Sequence, residues 1–200
     1  MADVPVTRSS LLVRLRDTHD QKAWQQFVGL YAPVVYGYAR KRGLQDADAG
    51  DLTQEVLRGA AAAHERLDAI AQQGSFHQWL FTVAHHKLHD FLARQHRQAQ
   101  GSGNSEVHRL LDQQPQPNED TALWEQEYQQ QLFAWAAQQI ESHFQASTWQ
   151  AFWQTAVEGK SGKEVAQALG MTVAAVYLAK SRVLARLREQ IQELDPAESP

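Results

Sequence analysis

The chain contains no cysteine, which excludes disulfides and thiolate metal sites and is compatible with a reducing compartment. It has no run approaching the roughly 18 apolar residues that a membrane-spanning helix needs. The N-terminal stretch from Met1 to Asp17 lacks an apolar core followed by a small-residue cleavage site, so no secretory signal is expected. These absences lead us to expect a soluble, cytoplasmic protein. A strong basic excess is missing too. The formal net charge is −4, so nucleic acid is not gripped by the whole surface, and any DNA contact must come from a local basic face or be shared with a partner. Also absent are a Gly-rich phosphate loop, a Gly-x-Ser-x-Gly elbow and a dinucleotide fingerprint. Gly101-Ser102-Gly103 lacks the following Lys-Ser/Thr. No enzyme chemistry and no cofactor is expected.

What remains reads as helix. Over 200 residues, apolar side chains make up 43%, enough for one large core or two small ones. Thr7 or Ser9 can cap a first helix carrying Leu11, Leu12 and Leu15. Asp20 can cap a second, with Trp24, Phe27, Val28, Tyr31, Val35 and Tyr38 at three- and four-residue steps. Pro33 inside it predicts a kink, and Gly43 ends it. A third helix starts at Asp46 or Asp48. A fourth opens after Gly74-Ser75 and turns Phe76, Trp79, Leu80, Val83, Leu88, Phe91 and Leu92 inward. No strand-like alternation of useful length occurs, so the class is all-α. From Gln98 to Asn118 the chain is rich in Gln, Gly, Ser and Pro and reads as a flexible linker. Periodicity resumes at Leu123, Trp124 and Tyr128 and continues through Trp149, Phe152 and Trp153. The natural parse is two small helical domains on a tether.

The sharpest local signal lies near the C-terminus. Ser161 can cap a short helix with Val165, Ala166 and Leu169 inward, and Gly170 suits a left-handed turn. Thr172 can cap the next helix, with Val173, Val176, Leu184 and Leu187 facing the core. This is a helix-turn-helix, whose second helix is shaped for the major groove. Between Thr172 and Arg188 stand Lys180, Arg182, Arg186 and Arg188 and no acid. The plainer reading is that these bases complement a helix dipole.

Four blocks then occur in order: Trp24-x-x-Phe27-Val28-x-x-Tyr31, the Asp-rich Gln54-Glu55-Val56 block, Gly74-Ser75-Phe76-x-x-Trp79-Leu80, and the helix-turn-helix. Together they resemble the extracytoplasmic-function (ECF) sigma factors, which lend promoter recognition to RNA polymerase. The resemblance implies a sigma region 2 domain over residues 1–97, a linker over 98–118, a region 4 helix-turn-helix domain over 119–194 and a tail over 195–200. It implies that Asp48, Asp51, Gln54 and Glu55 dock on the clamp coiled coil of the largest core polymerase subunit. Asp51 and Glu55 lie one turn apart, and such like charges favour a cationic partner. The −10 promoter element would be met by His77, Trp79, His86, Lys87, Asp90, Arg94 and Arg97. Trp79 has core spacing as well. The −35 element would be met by Thr172, Val173, Ala174, Tyr177, Lys180, Ser181, Arg182 and Arg186. Family members often have an anti-sigma protein, which adds a further partner.

The chain departs from the family pattern at three places. His77 and Ala93 stand where arginine is usual, and His86 where asparagine is usual. Neutral histidine does not replace arginine against phosphate. Two other readings use the same residues: a stand-alone helix-turn-helix regulator, and a metal-binding helical protein built on His77, His85, His86 and His89. His85 and His89 are one turn apart, but no third ligand has a compelling spacing and there is no HExxH arrangement, so no metal is expected.

Overall fold

The computed structural model describes residues 11–67, 76–99 and 117–194. Every regular element among them is helical, with no strand, as the periodicity predicts. The expected caps at Thr7 or Ser9, the Gly74-Ser75 pair, the linker up to residue 116 and the tail over 195–200 lie outside the described residues. The chain forms two compact units, residues 1–131 and 132–200.

In the first unit, α1 is a single turn (Leu11–Arg14). Just beyond it, Leu15 is fully buried. The Arg14 guanidinium grips Asp20 through both carboxylate oxygens, at 2.8 and 2.9 Å. Asp20 in turn caps α2 (Gln21–Lys41), accepting from the Ala23 amide at 3.0 Å. Helix α2 runs through Pro33 and buries Phe27, Leu30, Tyr31, Val34, Val35, Tyr38 and Ala39. Val28, expected on that stripe, is exposed, and Ala23 takes a buried place instead. Gly43, at φ 90°, reverses the chain after the helix, a conformation open to glycine at little cost.

Helix α3 (Asp46–Ala62) starts with Asp46 and Asp48 in its first turn, where carboxylates complement the dipole. It buries Leu52, Val56 and Ala60. Thr53 is buried as well, its hydroxyl satisfied by donating to the Ala49 carbonyl at 2.7 Å. A 3-10 turn (His64–Arg66) follows. Helix α4 (Phe76–Ala99) buries Phe76, Leu80, Ala84, Leu88 and Leu92, a regular i, i+4 row packed on α3.

Helix α5 (Pro117–Ile140) begins two residues before the expected domain start at 119, and its first half packs into the first unit. Trp124 and Tyr128 are fully buried there. Trp124 meets Tyr38 edge-on at 5.6 Å, and Tyr128 stacks on Tyr31 at 5.8 Å. The packing boundary therefore falls between Gln131 and Leu132. The physical reason is that Trp124 and Tyr128 present large apolar faces which α2 and α4 cover.

The second unit comprises the rest of α5, a 3-10 turn (Glu141–His143), α6 (Ala146–Ala156), α7 (Gly162–Leu169) and α8 (Val173–Leu194). One cluster joins Ala136, Ala137, Ile140, Phe152, Val183 and Leu187, ringed by Trp149 and Trp153. A second joins Ala151, Val165, Ala166, Val176 and Ala179. Small residues dominate this second cluster, which lets α7 and α8 approach α6 closely. Val173, expected to face the core, is exposed at the helix start, while Val183 and Ala179 supply the buried row.

Candidate polymerase and nucleic-acid interface

On α3, Asp51 and Gln54 are exposed, and Asp48 and Glu55 are half-buried. The last two already have company. The Gln95 amide donates to Asp48 at 3.0 Å. Glu55 lies 3.6 Å from the Lys87 ammonium and 3.8 Å from the Arg94 guanidinium. Gln54 accepts from Arg58 at 2.8 Å. Apart from Lys87, these side chains, with Phe91, line an open groove of about 380 Å³ between α3 and α4. The acids expected to meet the polymerase thus share one groove with Arg94, a base expected to meet DNA. Ion pairs this loose and exposed are worth roughly 0–1 kcal/mol, so an incoming cationic surface could displace them.

Along α4, His86, Asp90 and Ala93 are exposed on one stripe, while Lys87 is half-buried and Arg94 exposed beside it. Trp79 is half-buried, 5.4 Å from the Phe76 ring. Arg97 belongs to α4, but its side chain lies outside the described residues.

His77 is the correction. It is 2% exposed, with its ring 3.9 Å from Tyr128 and 5.5 Å from Trp124. Its Nε2 is 3.2 Å from the Glu125 carboxylate. With α5 over it, His77 offers no surface to DNA. Helical geometry carried the signal: at about 100° per residue, His77 falls on the side of α4 opposite His86 and Asp90.

Sequence reasoning missed a set of charges around α5. Arg42 pairs with Asp120 at 2.9 Å, and Lys41 with Glu127 at 2.5 Å. Asp120 and Glu127 are both buried. Glu127 lies so close to Gly37 that a Cβ there would collide with the carboxylate. Asp120 also approaches His85, with 3.4 Å between Oδ2 and Nδ1, and the Tyr38 hydroxyl is 3.2 Å from the same nitrogen. Burial, seconded by the neighbouring His89, pushes the His85 pKa below its ordinary value, against the pull of Asp120. Burial first, then Asp120, pushes the Tyr38 phenol up. Only the pairing of acids with Lys41 and Arg42 across the linker could have marked these residues, and sequence spacing does not show it.

In the second unit the helix-turn-helix forms as expected. Ser161 and Glu164 make a reciprocal capping box, with bonds of 3.3 and 2.9 Å. The Ser161 hydrogen bonds hold the Glu164 carboxyl below its ordinary pKa. Gly170 closes α7 at φ 64°, and the chain bends by 103° into α8. Thr172 Oγ1 accepts from the Ala175 amide at 3.1 Å. Thr172, Val173, Ala174, Tyr177, Ser181 and Arg182 are exposed along one side of α8, with Lys180 and Arg186 half-buried at its edge. Arg186 donates to Glu189 at 2.9 Å. Tyr177, 57% exposed, lies over Gly162, where a Cβ would stand only 3.0 Å from its ring. Glycine at 162 therefore lets the tyrosine rest on α7.

Among the described residues no single helix is long and apolar enough to cross a membrane. Residues 27–98 match the family model for Sigma-70 region 2, a stretch that takes in most of α2, all of α3 and nearly all of α4. No curated protein matches the chain. The solved structure of CnrH in complex with the cytosolic domain of CnrY is similar at 22% identity, over 94% of this chain and 97% of that one, with a TM-score of 0.33.

Proposed function

We propose that this chain, whose residues 27–98 match the Sigma-70 region 2 model, is an ECF-type sigma factor that docks on core RNA polymerase and directs it to promoters by reading −10 and −35 elements. The observation that carries the reading is the region 2 match over residues 27–98, which covers the acidic block of α3 and the −10 stripe of α4. An exposed helix-turn-helix face in the second unit supports the other half.

The activity is binding, not catalysis. The exposed carboxylate of Asp51, with Gln54 beside it, is the part of the acidic face open to a cationic partner. Glu55 would exchange Lys87 and Arg94 for the partner's charges. On α4, His86, Lys87, Asp90 and Arg94 would face the −10 strand, and Trp79 would support that face from beneath. On α8, Lys180, Arg182 and Arg186 would set position on phosphates. Thr172, Val173, Ala174, Tyr177 and Ser181 would carry sequence choice. A tether between the two binding surfaces raises the effective concentration of each for its element. An acidic chain can work this way because the polymerase supplies most of the DNA grip. Such a factor acts in the cytoplasm, and an anti-sigma protein, as the family resemblance implies, would cover the same surfaces.

In vitro transcription with core polymerase on a random promoter library tests the reading. Asp51→Lys should abolish both co-purification with core enzyme and transcription. It is the cleaner reversal, because Glu55→Lys would also set a cation against Lys87 and Arg94. Arg182→Ala should weaken −35 duplex binding and flatten its salt dependence. Unchanged core binding by the Asp51 variant, or promoter binding by the wild-type chain without polymerase, would turn the reading toward a stand-alone regulator.

A further inference from the structure

We propose that His85, His89 and Asp120 form a binding site for a divalent first-row transition ion of the zinc and cobalt class, joining α4 to the first turn of α5. The two histidines stand one turn apart on α4, as spacing alone predicts. The fold adds the third ligand: Asp120, thirty-one positions beyond His89, arrives on α5. One donor atom from each residue lies within 4.8 Å of the others. A tetrahedral ion with bonds of about 2 Å holds its ligands about 3.3 Å apart. His85 Nδ1 and Asp120 Oδ2 already stand at 3.4 Å, and the His85 and His89 rings lie 4.4 Å apart. Closing the set needs only a side-chain adjustment by the half-buried His89.

The surroundings are those of a built site. Asp120 is 1% exposed, and Arg42 holds its Oδ1 at 2.9 Å. Oδ1 makes an ion pair with Arg42 without a hydrogen bond, and Oδ2 is turned to His85 at 3.4 Å. Tyr38, buried and 3.2 Å from His85 Nδ1, closes the apolar side. Two imidazoles and one carboxylate suit zinc, cobalt or nickel and leave open coordination positions for water. The Arg42 charge opposes a second cation, which makes the site weaker than a thiolate one. Because the ligands sit on two helices, occupancy would pin the start of α5 to α4.

Titration calorimetry of the chelator-treated full-length chain with Zn²⁺, and with Mg²⁺ as control, reads the site directly. Co²⁺ absorption reports coordination number. One Zn²⁺ per chain is expected, with an upward shift in thermal stability, and no response to Mg²⁺. His85→Gln and His89→Gln should each weaken binding by more than about tenfold, whereas exposed His86→Gln should not. Asp120→Asn should do the same as the ligand histidine variants. If circular dichroism shows that it fails to fold, the histidine variants together with a four-coordinate nitrogen–oxygen Co²⁺ spectrum and the Zn²⁺-dependent stability shift decide the matter. Absence of saturable Zn²⁺ and Co²⁺ binding, or binding indifferent to both histidine changes, would overturn the proposal. Loss on the histidine changes with full retention in a folded Asp120→Asn chain would also overturn it, reducing the site to a bare histidine pair.

Discussion

The two units bury different chemistry. Among the described residues, every buried polar or charged side chain (Thr53, His77, Asp120 and Glu127) belongs to the first unit, while the buried side chains of the second are all apolar. Apolar packing tolerates many sequences of similar volume. Buried charges demand particular partners, since an uncompensated one costs several kcal/mol. The first unit is therefore specified pair by pair around α5, and the second by periodicity and caps. Their candidate surfaces differ likewise. The acidic groove of α3 is partly occupied by the chain's own Lys87 and Arg94, whereas the exposed side of α8 presents Tyr177 and Arg182 with no ion pair to Arg182 among the described residues.

The contrast is broken most strongly by truncating one large side chain in each unit. Trp124→Ala should cost the first unit about 4 kcal/mol and Phe152→Ala should cost the second a similar amount. Denaturant unfolding followed by hydrogen exchange in each unit will show which one weakens. A first unit indifferent to Trp124→Ala would mean that α5 is no part of its core. Next in size, Arg42→Ala should destabilise the first unit by about 3 kcal/mol, because it leaves the Asp120 carboxylate buried without its cation. No single charge removal in the second unit should approach that value. A cap sharpens the comparison from the other side: Ser161→Ala should cost about 1 kcal/mol, confined to the second unit in the same exchange experiment.

The smallest effect is one of pH. The His85 pKa is depressed in the folded chain, so the unfolded chain binds the proton more readily. That contribution to stability is complete above the unfolded value near 6.5 and is lost as pH falls toward the folded one. Melting curves between neutral and mildly acidic pH should show the first unit weakening, and His85→Gln should flatten that slope. A slope unchanged by His85→Gln would assign the acid sensitivity elsewhere.

Much of the architecture was legible because it is local. The Asp20, Ser161 and Thr172 caps and the left-handed Gly170 each depend on residues within a few positions of one another, and capping preferences are read over that range. The buried stripes of α2, α4 and α8 followed helical period, with errors at Val28 on α2 and Val173 at the start of α8. The candidate sites were legible to a different degree. Of the residues named there, Thr172, Val173, Ala174, Tyr177, Ser181 and Arg182 on α8 and Asp51 and Gln54 on α3 are exposed. His77 was legible only in its helical phase, opposite His86, since the residues that cover it, Trp124 and Tyr128, arrive from beyond the linker.

By itself, the sequence determined an all-helical chain, the helix-turn-helix near its end, the acidic face of α3 and the resemblance to sigma factors. Each is written in period, caps or a short motif. Tertiary structure alone decided where the first unit ends, which histidine is covered, and that Asp120 stands beside His85 and Arg42. Such meetings join helices that are far apart in the chain, and their energy comes from burial and charge pairing, which local spacing does not encode.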